Sequence, residues 1–250
     1  MRETFDLLMK KGLGEFGIGL SQDKLGQFYR YYELLIEWNK VMNLTSIVEM
    51  EDVVRKHFVD SLTVIKVLCG EQEDHYNEWK INLRILDLGT GAGFPGVPIK
   101  IAFPEAEIVL LDSLNKRIQF LNDVIRQLGL HGITAVHGRA EDFGRNPLYR
   151  ESFDLCVSRA VANLSTLSEY CIPFVKSGGY FVAYKSGKAE NEIQEAKGAL
   201  KLLGGGIDRI EEFVIPDSDI ERMLVKIKKT ENTSKKYPRK AGIPGKEPLK

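Results

Sequence analysis

Three glycines, Gly89, Gly91 and Gly93, punctuate the segment LDLGTGAGFPGVPI (86–99), between an apolar run and a helix-like stretch. Small residues at such a turn let the backbone bend sharply and let a ligand approach the peptide plane. Two registers compete. Read literally, Gly91, Gly93 and Gly96 make G-x-G-x-x-G, and Asp112 follows Gly91 by 21 residues at the end of the next apolar run. A nicotinamide dinucleotide site would place its ribose-binding acid in that way. Shifted by two residues, the loop reads D-x-G-x-G-x-G from Asp87, and a ligand without a pyrophosphate would need only the backbone and one carboxylate. Both registers use Asp112, whose oxygens can accept from ribose hydroxyls.

The second register resembles motif I of S-adenosylmethionine (SAM) enzymes. Downstream, GRAEDF (138–143) offers Glu141 or Asp142 as acceptor for an adenine amino group, and Glu141, following small Ala140, resembles the adenine contact of SAM sites. The plainer reading leaves both acids solvated at a helix start, where the helix dipole favours them.

These residues need a frame. In residues 24–44, Leu25, Phe28, Tyr32, Leu35, Ile36, Trp38 and Met42 recur mostly at steps of three and four, with Ser21 as N-cap, which predicts an amphipathic helix. A second helix is predicted over 53–68, stopped by Gly70, followed by a polar connector over 69–83. From residue 82 short apolar runs (84–89, 107–112, 133–138, 153–160 and 178–185) alternate with helical patterns near 95–103, 114–129, 163–172 and 189–203. Strands alternating with helices pair in parallel through right-handed crossovers. Two further runs, 208–216 and 221–230, are separated by four residues, too few for a crossover, and should form an antiparallel hairpin.

The expected fold is therefore α/β: a Rossmann-like, mostly parallel seven-stranded sheet with a C-terminal antiparallel hairpin, the architecture of class I SAM-dependent methyltransferases. The expected organisation is a helical extension over 1–80, a ligand-binding domain over 81–230 and a basic tail over 231–250 packed on or near it.

The charge is divided along the chain. The 250 residues carry 35 Lys plus Arg and 35 Asp plus Glu, a formal net charge of zero. Residues 222–250 hold ten basic against two acidic side chains, +8, which leaves −8 on the rest. An acidic body with a basic end points to an anionic partner such as nucleic acid. A hydrophobic content of 43% and a charged content of 28% exclude wholesale disorder. No run is apolar and long enough for a bilayer, and the start, MRETFDLLMKKG, lacks a signal-peptide core, so a cytoplasmic protein without membrane contact is expected. Three cysteines and four histidines at unrelated spacings argue against a disulfide framework and a zinc site, and no metal is expected.

Beyond the glycine loop, WNKVMNLTSI, RKHFVDSL, LLDSLNKRIQFL, SRAVANLSTLSEYCIPFVKSGGYFVAYK and KKYPRKAGIPGKEPL, together spanning residues 38–249, resemble the glucose-inhibited division protein B family. These are bacterial small-subunit rRNA guanine-N7 methyltransferases. The resemblance implies SAM contacts at Gly89 and Phe94, at Ala140 and Glu141, and at Arg159, with Asp112 on the ribose, and Gly91 and Gly93 of the same loop complete the expected cofactor-binding set. It implies 16S rRNA or the 30S subunit as partner, and the chain is expected to act as a monomer. A non-catalytic RNA-binding module on a nucleotide fold is the alternative from another class.

The chemistry fits the residues after the fourth strand. Ser158, Arg159, Ala160 and Val161 include neither the Asn/Asp-Pro-Pro-aromatic pattern common to exocyclic-amine methylation nor a thiolate for attack at ring carbon. Cys156 reads as a small buried hydrophobe inside its strand. Guanine N7 has a free lone pair and loses no proton on methylation, so no general base is required. Holding the reactants in line can contribute roughly 7–11 kcal/mol. Arg159 would orient either the methionine carboxylate or the base. Because the major groove of A-form RNA is too deep and narrow for side chains, the target should sit in a loop or be extruded. Lys235, Lys236, Arg239, Lys240 and Lys246 are expected to bind phosphates, with Tyr237 stacking on a base. His57, Asp60 and Ser61 fall on one side of the second helix, and for His57 core packing and a pocket role both stay open.

Overall fold

A computed structural model describes residues 1–68, 82–159 and 162–250. Seven strands, β1 (Arg84–Leu88), β2 (Glu107–Asp112), β3 (Ile133–His137), β4 (Phe153–Ser158), β5 (Val175–Ser186), β6 (Gly205–Val214) and β7 (Glu221–Lys229), form one sheet in the order β3-β2-β1-β4-β5-β7-β6. The first five pair in parallel, and β7 runs antiparallel between β5 and β6. The expected hairpin forms, and its second strand is the one that joins the parallel sheet. Edge strand β6 alternates half-buried and exposed residues, whereas β1 and β4 are almost wholly buried because helices cover both faces.

Alternate residues of each central strand enter opposite cores. Ile85, Leu110 and Val157 face the layer of α6 (Gly96–Ala102), α7 (Asn115–Gln127) and the N-terminal helices, while Leu86, Leu111 and Cys156 face α9 (Leu164–Cys171) and α10 (Glu190–Leu202). A short α8 (Ala140–Phe143) follows β3. Strand order reverses between β1 and β4, which creates a crevice at the carboxyl ends of the parallel strands.

The N-terminal helices belong to the same core. Besides α1 (Arg2–Gly14), α2 spans Gln22–Met42 and is capped by Ser21, whose Oγ accepts from Lys24 N at 3.4 Å. Its Tyr31 is fully buried and donates to the Ala92 carbonyl inside the glycine loop. The expected helix over 53–68 is broken into α3 (Met50–Val53), a π-helical turn (Val54–Val59), α4 (Asp60–Leu62) and α5 (Ile65–Leu68). Thr63 Oγ1 takes the Asp60 carbonyl at 2.7 Å and Ser61 Oγ takes that of His57, so hydroxyls compete with the main-chain ladder where the helix changes pitch. Apolar periodicity does not register the one extra residue of a π turn. Gly70 and the connector as far as residue 81 lie outside the described residues.

The basic tail has little regular structure apart from α11 (Ile243–Lys246), yet it is held against the body. The Arg150 guanidinium donates to the carbonyls of Thr233, Tyr237 and Gly144, and Arg145 donates to that of Pro238.

Candidate active site

The loop after β1 is built by its own polar contacts. Gly89, Gly91 and Gly93 all have positive φ (72°, 63° and 98°). Gly89 N donates to the Leu111 carbonyl and Gly91 N to Asp112 Oδ2, both at 2.9 Å. Beneath them Asp87, fully buried, accepts from Thr90 Oγ1 at 2.6 Å and from Gly96 N at 2.8 Å. It holds the loop's shape from below and does not line the cleft.

Above the loop opens a cleft of about 740 Å³ at the switch point, within the range of small-molecule sites. It brings together Gly89, Gly91, Phe94, Asp112, Ala140, Glu141 and Arg159. Gly93, expected with them, lies behind the lining: a Cβ there would meet Tyr31 Oη at 2.6 Å and Val97 at 2.8 Å, so this glycine admits the α2 packing. The cleft also takes Leu44 and Thr45 from beyond α2 and Tyr170 from α9, which sequence reasoning did not single out. NLTSI was the only signal for Leu44 and Thr45, and it carried no chemical role.

The start of α6 decides between the two registers of the loop. A pyrophosphate needs free N–H groups at that helix end. Here Gly96 N is taken by Asp87, Val97 N by the Gly93 carbonyl and Ile99 N by that of Pro95, and residue 98 is proline, which has no N–H. The arrangement leaves no anion cradle. It fits a ligand that presents ribose hydroxyls, an adenine edge and an amino-acid end, as SAM does.

Asp112 is 3% exposed, with Oδ1 accepting from Leu114 N at 2.9 Å and Oδ2 from Arg117 at 3.0 Å as well as from Gly91. These bonds fix the orientation of the carboxylate in the cleft. Glu141 is similarly buried, and its Oε1 accepts from Gly242 N at 2.9 Å, so the C-terminal tail reaches the cleft at Glu141.

Arg159 is the most constrained cation of the site. Its Nη1 donates to the Lys56 carbonyl and to Asp60 Oδ2, both at 2.9 Å, its Nη2 lies 3.1 Å from His57 Nδ1, and its guanidinium lies 5.0 Å from the Phe94 ring centroid. Asp60 is fully buried and also accepts from Arg222 Nε at 2.9 Å. His57 stacks on Phe94 at 4.4 Å, and its Nε2 lies 3.0 Å from Thr45 Oγ1. Burial, aided by the Arg159 cation, lowers the His57 imidazole to about 3. It is thus neutral at ordinary pH, with Nδ1 accepting from Arg159 and Nε2–H donating to Thr45. The two alternatives for His57 merge: it is buried, and it lines the cleft.

Burial raises Asp87 to about 7, against the lowering effect of the Thr90 and Gly96 hydrogen bonds. A carboxyl whose folded value exceeds its unfolded one adds stability below about pH 4 and loses it as pH rises through 7. Wild type is therefore expected to lose stability between pH 5 and pH 8 relative to Asp87→Asn, by roughly 3 kcal/mol at 1.36 kcal/mol per pH unit. Urea unfolding of both proteins at the two pH values checks this, and parallel curves would contradict it.

Two tail residues depart from expectation. Tyr237 is only 6% exposed, packed in the core beneath the Lys236 ammonium, and is no platform for a base. Arg239 makes a bidentate pair with the fully buried Glu169, at 2.9 Å from Nε and 2.7 Å from Nη2, and so anchors the tail instead of reaching a phosphate. A lysine-and-arginine run looks uniform in sequence, and only the position of a buried acid separates its members. Lys235, Lys236, Lys240 and Lys246 are exposed.

The sheet order and the switch-point cleft, with the buried acids Asp112 and Glu141 along it, define a class I SAM-dependent methyltransferase. The fold agrees with the crystal structure of a SAM-dependent methyltransferase from Aquifex aeolicus, to which the chain is similar with a TM-score of 0.50 at 16% identity, covering 70% of this chain and 92% of that one. A family model described as rRNA small subunit methyltransferase G matches residues 24–220. The chain is also 52% identical to the ribosomal RNA small subunit methyltransferase G of Lachnoclostridium phytofermentans over 96% of this chain and 95% of that protein. The protein of the same name from Acetivibrio thermocellus is 48% identical over 97% and 96%. This chain belongs to the rRNA small subunit methyltransferase G family, as its motifs led one to expect.

Proposed function

We propose that the chain methylates N7 of a guanine in a loop of 16S rRNA, using SAM bound in the switch-point cleft. When bound, SAM supplies a methyl group on a sulfonium, which a ring nitrogen with a free lone pair accepts without shedding a proton. The observation that carries the reading is the end of β4. Ser158 Oγ donates to the Leu88 carbonyl at 2.8 Å, Arg159 is locked to Asp60 and His57, and burial holds the Cys156 thiol well above its ordinary value. These residues orient and exclude water, and among them no base or thiolate stands ready. That suits N7 and does not suit an exocyclic amine or a ring carbon.

In this reading Asp112 holds the ribose, Glu141 and Ala140 flank the adenine, and Gly89, Gly91 and Phe94 bound the amino-acid side. Arg159, fixed by three acceptors, orients what lies at the mouth of the cleft. The test is methyl transfer from SAM to small subunits and to naked rRNA lacking the modification, followed by strand cleavage at positively charged guanines. One guanine modified in the RNA is expected. Methylation elsewhere, or none, defeats the reading.

Lys235, Lys236, Lys240 and Lys246 are proposed to meet RNA phosphates, each adding roughly 0.7 to the slope of log affinity against log salt. Replacing all four by glutamine is expected to flatten that slope by about 2–3 and to leave SAM affinity unchanged, read by filter binding across a salt series and by calorimetry. An unchanged slope would remove these lysines from the interface.

A further inference from the structure

A second cleft, of about 500 Å³, adjoins the first and shares Arg159 and Ala162 with it. It lies at the carboxyl end of β5 and the start of β7. Asn163, Tyr184, Lys185, Ser186, Glu192 and Arg222 complete its lining. The arrangement along one side is ordered. Lys185 Nζ donates to the Ala162 carbonyl and to Glu192 Oε1, both at 2.5 Å, so that carboxylate, ammonium and shared wall follow one another. The Lys185 side chain is only 9% exposed and that of Glu192 27%, which makes this a walled site with a partly desolvated pair.

That order matches one nucleobase. The edge of guanine presents N1–H and the N2 amino group as donors, then O6 as an acceptor, then N7. A carboxylate accepts from N1–H and N2–H together, an ammonium donates to O6, and the ring then turns N7 toward whatever stands beyond the ammonium. In this cleft that is the wall shared with the first cleft. Adenine offers the reverse pattern, with no proton on N1 and an amino group where O6 would be, and it would leave both side chains facing unsuitable partners.

We propose that the second cleft is the guanine-recognition subsite, in which Glu192 reads N1–H and N2–H, Lys185 reads O6, and N7 is thereby presented at the boundary marked by Arg159 and Ala162. The inference rests on the proposed rRNA guanine methylation and adds the residues that would select the base. Lys185 comes from β5 and Glu192 from α10, away from the glycine loop, so they bear on the base and not on SAM.

The test separates this proposal from the reading beneath it. Wild-type activity on unmodified small subunits tests the methylation itself. Glu192→Gln keeps the size of the side chain but turns an amide N–H₂ toward the guanine donors. It is expected to lower kcat/KM for subunits at least 50-fold while SAM affinity by calorimetry stays within about twofold, which also shows that the variant is folded. A variant that binds SAM and methylates within about threefold of wild type overturns the subsite while leaving the function intact. Wild type supplies a second measurement that needs no substitution. At saturating SAM, guanosine monophosphate should inhibit competitively against subunits, and adenosine monophosphate at equal concentration should not. Equal inhibition by both, or by neither, overturns the proposal.

Discussion

Replacing Asp60 by Asn is expected to destabilise the protein by roughly 2–4 kcal/mol and to lower the methylation kcat by about a hundredfold. Asp60 is fully buried, and it is the only carboxylate that the described contacts give to both Arg159 and Arg222. Removing one partner of a buried ion pair leaves uncompensated charge, at about 3–5 kcal/mol. The figure is reduced here because the two arginine side chains keep 18% and 23% of their exposure and so some water. The activity loss has another origin. In Asp60→Asn the single amide oxygen can serve Arg159 or Arg222 but not both, and its NH₂ faces the other guanidinium, so Arg159 shifts, and a displacement near 1 Å can cost about a hundredfold where catalysis is orientation. Urea unfolding and single-turnover methylation measure the two effects. A surface control, Asp217→Asn, breaks an exposed pair with Lys11 and should change stability by under about 0.5 kcal/mol. Wild-type stability and kcat in the Asp60 variant would show that the network is not what holds Arg159.

Arg239→Ala should release the C-terminal tail, with a stability loss of roughly 2–4 kcal/mol and about tenfold weaker SAM binding. Glu169 is fully buried, and both the guanidinium and the backbone N–H of Arg239 donate to it. Truncation leaves that carboxylate the backbone donor but no counter-charge. Three residues further on, Gly242 N donates to Glu141 in the switch-point cleft, and Thr166 Oγ1 donates to the Pro244 carbonyl, so loss of the anchor loosens the cleft wall at Glu141. Limited proteolysis, thermal unfolding and SAM calorimetry read the three consequences. In the double variant with Glu169→Gln, part of the stability should return, since neither charge is then left alone. Undiminished SAM affinity in Arg239→Ala would confine the tail to an RNA role and break its link to the cofactor cleft.

Strand positions, helix positions in the α/β body and the terminal hairpin were legible because each rests on a local period. Apolar runs bounded by glycine become buried parallel strands, and 84–89, 107–112 and 153–160 differ from β1, β2 and β4 by two residues at most. Ser21 was readable as a cap because capping involves neighbours in the chain. The π turn was not readable, since one inserted residue preserves the apolar face while re-aiming His57 and Asp60. Nor was the role of Gly93, because the atoms that forbid a side chain there belong to α2, α6 and α7.

The sequence by itself determined the fold class, the loop after β1, the acid at the end of β2 and the acidic body with its basic end. Each of these follows from spacing or from summed charge, which need no coordinates. The tertiary structure alone decided that the α6 N-terminus has no donor left for a pyrophosphate, and that Arg159 is fixed by residues about a hundred positions earlier. It also decided that Arg239 belongs to a buried Glu169 while Lys235, Lys236, Lys240 and Lys246 face solvent. The physical reason is common to all three. What a polar group can do depends on which partners already occupy it, and for a buried group those partners come from distant parts of the chain.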